Sequence, residues 1–385
     1  MKQLSFPTRL IVGAGAAYEL PNVLRDLKLK QPLVVTDRYL VQTGLAQALV
    51  EALAVEGLIA AVFDGVVPDP ATDVVEACAA AARRGRHDCL VALGGGSPID
   101  TAKAAALLAR QSAPMRAFKA PHQVVEDALP VIAIPTTAGT GSEATRFTVI
   151  TDAQTEEKML CVGSSFMPVA ALVDYELTLT KPRRLTADTG LDSLTHAIEA
   201  YVSRLANPVS DALAIGAMGV LAANLPVVCA FPADREARDA MMWGATMAGM
   251  AFSNASVALV HGMSRPIGAR FHVPHGLSNA MLLPLVTEFS AAAAPLRYAR
   301  CARAMGLARE SDDTDAAVSA LISGLQHLCT DLQVPTPKAF GIDERAYFDS
   351  LEIMAVQALE SGSPNNNPRV PTQTELVELY IRAWD

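Results

Sequence analysis

The pattern of hydrophobic positions divides the chain into two parts with different periodicity. Up to about residue 182, short continuous apolar runs alternate with amphipathic stretches, and such runs are typical of strands buried on both faces of a sheet. The predicted strands are LIVGAG at 10–15, PLVVTD at 32–37, AAVFDGV at 60–66, CLVALGGG at 89–96, VIAIPTTAGTG at 131–141 and ALVDYEL at 171–177. Helical patterns lie between several of them, for example at 71–85 and 97–111. This alternation predicts a mostly parallel sheet.

The second part has almost no strand pattern. From Thr186 onward the chain is rich in Ala and Leu and follows a helical period. We therefore predict an α/β domain at 1–182 and an all-helical domain at 183–385. A low-complexity patch, SGSPNNNPR at 361–369, predicts a surface loop before a last helix that ends near Trp384.

Composition narrows the class of protein. The 385 residues are 51% hydrophobic and carry a net charge of −9, which argues against disorder and against nucleic acid as the main partner. The strongest basic group, at 83–86, fits a solvated helix end. We find no N-terminal targeting segment and no uninterrupted run of about 18 apolar residues, so we expect no membrane span. Six scattered cysteines without a CxxC pair favour a reduced, cytoplasmic enzyme.

A glycine-rich segment follows the predicted strand at 89–93. Gly95, Gly96 and Ser97 stand directly before a helical pattern, and Ser97 is expected to cap that helix with Pro98 in its first turn. Backbone N–H groups at such a helix start bind a pyrophosphate, although a connection without a ligand is the alternative. The earlier GAGAA at 13–17 lacks a third glycine and a following helix, so it is more typical of a tight turn.

Two further features of this half suit a nucleotide. The loop at 135–143 is crowded with hydroxyl groups and small residues, which suits hydrogen bonds to a phosphate or a carboxamide. Asp37 ends a predicted strand, where a carboxylate accepts hydrogen bonds from a ribose 2′-OH and repels a 2′-phosphate. That position favours NAD over NADP, but a strand-end Asp is also a common helix cap.

The second half contains candidate metal ligands. Asp192 and His196 are four residues apart in the strongly helical segment TADTGLDSLTHAIEAYVS. That spacing places both side chains on one face of a helix, one turn apart.

More histidines follow within a short stretch. His261 and His275 lie in a segment that Pro266 and Pro274 are expected to interrupt, which places these histidines at helix ends. His272, between them, is interpreted as a non-ligand. Three imidazoles and one carboxylate suit a divalent metal such as Fe²⁺ or Zn²⁺, and the donor set does not choose between the two.

These motifs resemble the iron-dependent (group III) alcohol dehydrogenases. GGGSPIDTAK, PTTAGTGSEAT, the Asp-x-x-x-His helix and the segment ending PHGLSNAMLLP occur in the family's order along the whole chain. The resemblance implies an N-terminal Rossmann-like domain, a helical C-terminal domain, a cleft between them holding NAD and metal, and at least a dimer. It implies four metal ligands, Asp192, His196, His261 and His275. It implies cofactor contacts at Asp37, Gly95, Gly96, Ser97, Thr136, Thr137, Thr140 and Lys158, and at Asp69, where many members have Asn.

One departure from the family pattern bears on the substrate. Many members have a further His four residues after the third ligand, where this chain has Arg265. Arginine stays charged and is a poor proton shuttle, but it can clamp a substrate carboxylate. The HGMS-x-PI pattern is similar to hydroxyacid–oxoacid transhydrogenase and to hydroxyvalerate dehydrogenase. The alternative is that Arg265 pairs with a protein carboxylate or a cofactor phosphate, and Arg146 is a second candidate cation.

The resemblance implies hydride transfer between a primary alcohol and NAD, with the metal acting as a Lewis acid. We expect a substrate such as 5-hydroxyvalerate or 4-hydroxybutyrate, and a proton route through water, ribose hydroxyls or His272. A generic primary-alcohol dehydrogenase and a transhydrogenase with retained cofactor remain alternatives. A lyase resembling dehydroquinate synthase, a maleylacetate reductase and a non-catalytic nucleotide-binding protein are weaker ones.

Overall fold

The computed structural model describes residues 4–155 and 157–385. Contacts between residues divide the chain into two compact units, one extending to Thr180 and the other spanning Lys181–Asp385.

The first unit is built on a six-stranded sheet and a two-stranded hairpin. The strands are β1 (Arg9–Val12), β2 (Pro32–Asp37), β3 (Ala61–Val66), β4 (Cys89–Gly94), β5 (Val131–Pro135), β6 (Phe147–Thr151), β7 (Lys158–Val162) and β8 (Ala170–Val173). The sheet order is β1-β8-β5-β4-β2-β3 with parallel pairing throughout. The antiparallel hairpin β6–β7 was missed by the sequence analysis.

Helices cover both faces of this sheet, as the continuous apolar strands require. They are α1 (Leu20–Asp26), α2 (Arg38–Gln42), α3 (Leu45–Val55), α4 (Thr72–Arg84) and α5 (Gly96–Leu108). The unit has two hydrophobic cores, and successive residues of β4 pack into different ones: Leu90 into the first and Val91 into the second. A short 3-10 helix at Ala16–Glu19 and then α1 follow the GAGAA turn directly, so the expectation that no helix follows it was wrong.

Strand order places a topological switch point in the sheet. The chain leaves β2 for β3 on one side and then crosses to β4, on the other side of β2. In open α/β sheets, ligands bind beyond the carboxyl ends of the strands that flank such a point. The carboxyl ends of β2 and β4 are therefore where a ligand is expected.

The second unit is helical throughout, which confirms the predicted combination of an α/β half and an all-α half. Its helices are α6 (Arg183–Val202), α7 (Pro208–Ala230), α8 (Arg235–Ala255), α9 (Leu259–Phe271), α10 (His275–Ala291), α11 (Pro295–Ala304), α12 (Thr314–Asp331), α13 (Pro337–Phe340), α14 (Glu344–Asp349), α15 (Leu351–Glu360) and α16 (Gln373–Ala383). Helices α6, α7 and α8 pack on one another. A Cβ atom on Gly190 would lie 2.4 Å from Cδ1 of Leu225, so α6 and α7 approach closely at this glycine.

Three local features of this unit differ from expectation. Pro266 lies inside α9 rather than interrupting it. The segment at 361–369 is not a surface loop, because it forms a short 3-10 helix, Ser363–Asn366, and buries Ser363 and Asn367. Helix α7 is long and apolar enough to cross a membrane by length and composition; 39% of its apolar window is buried, and it packs against α6 and α8 with Leu221 and Leu225 fully buried.

Candidate functional site

Three helices bring four predicted metal ligands together. Asp192 and His196 lie one turn apart on α6, His261 is the third residue of α9, and His275 is the first residue of α10. One ligand atom from each residue lies within 4.8 Å of the others. His261 and His275 therefore lie near the starts of α9 and α10, which agrees with the expected position at helix ends. Pro266 is not the reason, because it lies inside α9.

The distances within this group fit a metal ion. The Nε2 atoms of His196, His261 and His275 lie 3.8, 3.5 and 3.7 Å from Oδ1 of Asp192. Ligand atoms bound at about 2.1 Å in tetrahedral geometry are about 3.4 Å apart. The imidazole rings of His196 and His261 are stacked with centroids 4.6 Å apart. Three imidazole nitrogens and one carboxylate at this spacing form a donor set suited to a divalent first-row metal.

The charges in the group stabilise one another. Burial raises the pKa of Asp192, but the three imidazoles outweigh burial and hold that pKa well below its usual range. Burial lowers the pKa of His261, while the carboxylates of Glu199 and Asp192 raise it, giving a pKa of about 9. Asp192 has a 3% exposed side chain, whereas that of His275 is 41% exposed. The group is therefore accessible from the side of His275.

Sequence reasoning missed two buried polar residues beside the ligands. Asn279 donates through Nδ2 to Oδ1 of Asp192 at 2.7 Å, and Glu199 accepts from Nδ1 of His261 at 2.6 Å. The buried Oδ1 of Asn279 has no hydrogen-bond partner within the chain as described. Nδ2 of the same amide also lies 3.1 and 3.3 Å from Nε2 of His261 and His275, so Asn279 contacts the ligand group directly. Helical spacing offered a signal for both, since Glu199 falls seven residues after Asp192, and Asn279 four after His275.

The predicted catalytic residues lie on the same helix as His261. Arg265 is one turn further along α9, is half-buried, and donates from Nη1 to Oγ of Ser363 at 2.9 Å. Burial lowers the pKa of Arg265 to about 10, against the opposing effect of Glu199. His272 ends α9 in a left-handed conformation with φ 54°, is exposed, and lies outside the four-residue group.

The predicted nucleotide loops are adjacent in the first unit. The carboxyl end of β4 leads into Gly95, Gly96 and Ser97, and that of β5, its neighbour, into the loop at 136–141. A Cβ atom on Gly95 would lie 3.2 Å from Oγ1 of Thr137, and one on Gly96 would lie 2.9 Å from Thr140. Both loops therefore contact each other beside the switch point.

The start of α5 differs from the prediction. Ser97 is not its N-cap, because the helix begins at Gly96 and Gly95 takes the cap position without a side-chain bond. Gly94 has φ +150°, and a Cβ atom there would lie 2.4 Å from Pro98. The chain turns into the helix two residues earlier than expected, since this Gly-Gly pair permits a turn that other residues would block.

A buried ammonium group joins α5 to the second loop. Nζ of Lys103 donates to the carbonyl oxygens of Ser142, Thr145 and Phe147 at 2.6, 2.9 and 2.9 Å. It also reaches the hydroxyl groups of Ser142 and Thr145. Oγ of Ser142 in turn donates to Oδ1 of Asp100 at 2.6 Å. This network fixes the loop after β5 against the helix that begins at Gly96.

The remaining predicted nucleotide contacts lie on other elements of the first unit. Oδ1 of Asp37 accepts from the backbone N–H of Leu40 at 2.9 Å, so Asp37 does cap α2. Nζ of Lys158, the first residue of β7, lies 3.0 Å from Oδ1 of Asp69, which is 62% exposed. Arg146 is half-buried, and burial lowers its pKa.

Comparison with known proteins covers nearly the whole chain. The family described as "Iron-containing alcohol dehydrogenase" matches residues 7–175, and "Fe-containing alcohol dehydrogenase family, C-terminal" matches 186–384. The NAD-dependent methanol dehydrogenase of Bacillus methanolicus is 36% identical over 384 residues, covering 100% of both chains.

Two solved structures extend the likeness to three dimensions. A 1,3-propanediol oxidoreductase superimposes with a TM-score of 0.95 and 33% identity, covering 100% of both chains. A sulfoacetaldehyde reductase from Bifidobacterium kashiwanohense, solved in complex with NAD⁺, gives 0.90 and 29%, covering 100% of this chain and 99% of that one.

Proposed function

The chain belongs to the iron-containing alcohol dehydrogenase family, and from that premise we propose that its metal ion is held by Asp192, His196, His261 and His275. The family predicted from the motifs is thereby confirmed, and the protein is an enzyme, an NAD-linked alcohol dehydrogenase of the iron type. The observation that carries the proposal is the approach of four ligand atoms to within 4.8 Å of one another, three of them on buried residues. Fe²⁺ is the metal favoured by the family, and Zn²⁺ suits the same donors.

The bound metal would supply Lewis acidity to the oxygen of an alcohol or aldehyde. The chain's own residues prepare that chemistry. Asn279 holds one oxygen of Asp192, and burial of this carboxylate strengthens its interaction with positive charge. The exposed side of His275 offers a route by which a small substrate approaches.

For the cofactor, we propose contacts from the two adjacent loops: Gly95, Gly96, Ser97, Thr136, Thr137 and Thr140. Their support is the position at the carboxyl ends of β4 and β5 and the N-terminus of α5, where backbone N–H groups favour a pyrophosphate. Asp37 ends β2, on the other side of the switch point, and its cap uses only Oδ1. Asp69 and Lys158, which pair with each other, are proposed at lower priority.

Arg265 carries the finer proposal on the substrate. Its guanidinium is half-buried and, among the described residues, forms no ion pair, although the carboxylate of Glu199 acts on it from a longer distance. A charged group in that situation favours an anionic ligand. We propose that the enzyme prefers an alcohol or aldehyde with a distal anionic group, such as an ω-hydroxy acid. The sulfoacetaldehyde reductase similarity supports this, since the name of that relative denotes an anionic aldehyde.

The test compares NADH formation from 5-hydroxypentanoate and 1-pentanol by the protein loaded with Fe²⁺. A charge-assisted hydrogen bond contributes about 1.5–3 kcal/mol, so we expect about a 10–100-fold preference for the hydroxy acid. Arg265→Ala should abolish that preference, while the control Ser363→Ala, which keeps the charge, should retain it. Equal slowing of both substrates in Arg265→Ala would reject the clamp and favour a generic primary-alcohol dehydrogenase.

A transhydrogenase reaction and a proton route through His272 each have a distinct test. Turnover without added NAD, in the presence of an alcohol and a 2-oxo acid, would identify a transhydrogenase with retained cofactor. Full activity of His272→Ala would remove His272 from the proton route. Assembly as a homo-oligomer and a cytoplasmic location stay predictions.

A further inference from the structure

Glu199 is a buried carboxylate that the ligand set does not include. It lies on α6 three residues after His196 and seven after Asp192, so that all three side chains share one face of the helix. Glu199 is only 3% exposed. A carboxylate is costly to bury unless its oxygens are hydrogen-bonded.

The oxygens of Glu199 are occupied by the start of α9. Oε2 accepts from the backbone N–H of Ala258 at 2.8 Å, and Oε1 accepts from that of Val260 at 2.6 Å. Ala258, the N-cap residue of α9, has no side-chain acceptor of its own. Glu199 therefore caps α9 from a neighbouring helix, where a negative charge is favoured by the helix dipole.

The same carboxylate orients an imidazole of the ligand group. Oε2 accepts from Nδ1 of His261 at 2.6 Å. With Nδ1 as the donor, Nε2 is the nitrogen that faces Asp192, at 3.5 Å. One side chain thus fixes both the backbone that carries His261 and the rotation of its ring.

We propose that Glu199 is a positioning residue for the metal centre, which acts through His261 by holding it as the Nδ1–H tautomer with the Nε2 lone pair directed at the metal. This inference rests on the proposed metal site. Carboxylates that hold ligating histidines in this way typically change metal affinity 10–100-fold when they are replaced.

The experiment measures Zn²⁺ affinity of the full-length protein by competition with a chelator. We expect Glu199→Gln, which keeps the shape and one acceptor oxygen but loses the charge, to weaken Zn²⁺ binding 10–100-fold. The matched control is Thr195→Val on the same helix, because Thr195 is also buried and its hydroxyl, among the described residues, bonds only to the backbone carbonyl of Leu191. That variant should bind Zn²⁺ within about twofold of the wild type.

Two further readouts separate positioning from a purely structural cap. In a His261→Ala background, Glu199→Gln should cause no additional loss of Zn²⁺ affinity, since its partner is gone. Nitrogen-15 and proton NMR of the Zn²⁺-loaded wild type should show the Nδ1–H of His261, assigned by its loss in His261→Ala, shifted downfield of the other ligating histidines by its hydrogen bond to a carboxylate. This measurement decides the matter even when Glu199→Gln does not fold.

Failure of the inference is distinguishable from failure of the metal site. Unchanged Zn²⁺ affinity in Glu199→Gln, with binding lost in His196→Ala, would overturn the role of Glu199 and leave the site intact. An Nδ1–H of His261 with the same proton shift as those of the other ligating histidines would overturn it too. A wild-type protein that binds no Zn²⁺ would reject the site itself.

Discussion

Lys103 in the first unit and Asp192 in the second are both buried charges, but their surroundings differ in kind. Nζ of Lys103 has five oxygen atoms at 2.6–3.1 Å, more than its three protons can use. Asp192 is surrounded by imidazole nitrogens and by Asn279, whose Oδ1 accepts nothing in the described chain. The first cluster is complete in itself, whereas the second has the arrangement of a site that holds a positive ion.

Lys103 is thus a charge that stabilises the fold, whereas Asp192 is a charge suited to binding a ligand. A buried ammonium group satisfied by carbonyl oxygens fixes a backbone, here the loop after β5. A buried group of imidazole nitrogens around one carboxylate is instead a donor set for a positive ion. Substitution should therefore affect activity at the second cluster and stability at the first.

The largest effect is expected from removing a ligand of the second cluster. His196→Ala should lower kcat/KM by about a thousandfold, because metal assistance contributes several kcal/mol to the transition state. The free energy of unfolding of the metal-free protein should change much less. Steady-state kinetics after Fe²⁺ loading, together with metal analysis, checks this. Activity within tenfold of the wild type would remove His196 from the ligand set.

The opposite outcome is expected at the first cluster. Lys103→Met leaves the carbonyl oxygens of Ser142, Thr145 and Phe147 without their donor, and should destabilise the protein by about 3–5 kcal/mol. Denaturant unfolding measures this. A stable Lys103→Met variant with unchanged NAD affinity would show that the network does not hold the loop.

The pH dependence of stability and of metal binding gives a further test of the second cluster. The folded pKa of His261 is about 9, above its unfolded value of about 6.5. In metal-free protein, the stability that this shift contributes is fully present below about pH 6.5 and is lost as the pH rises to about 9.

Metal binding should show the reverse trend, because the ion displaces the proton on His261. We expect apparent Zn²⁺ affinity to rise by up to about tenfold per pH unit over this window. Calorimetry in buffers of different ionisation enthalpy should count about one released proton at pH 7. No proton release would contradict a protonated His261 in the metal-free protein.

The smallest effect is expected at Asp37, which is both a structural helix cap and a proposed cofactor contact. Its Oδ1 caps α2, as a structural group does. Asp37→Ala should cost about 1 kcal/mol of stability through loss of this cap. Asp37→Ser should keep the cap but remove the charge, and should raise the NADP-to-NAD ratio of kcat/KM about tenfold. Identical cofactor ratios in Asp37→Ser and the wild type would leave Asp37 only a cap.

The local pattern of hydrophobic positions was enough to predict much of the fold. The buried parallel strands were recognisable because both of their faces are apolar, as the opposite packing of Leu90 and Val91 shows. The hairpin β6–β7 was missed because its strands alternate buried and partly exposed positions and include polar residues. The cap of α5 was misplaced by two residues, since the turn at Gly94 depends on space around Pro98 rather than on Ser97.

Periodicity and motif order are local properties, so the amino-acid sequence was sufficient to predict the family, the two kinds of architecture and the i, i+4 spacing of Asp192 and His196. The groups that approach this helix face are known only from the tertiary packing. His261 reaches it from 69 positions beyond Asp192, with Glu199 bonded to it and Ser363 bonded to Arg265. Such contacts depend on how helices α6, α9 and α10 pack, and helix packing is set by the combined shape of many side chains. No single segment contains that information.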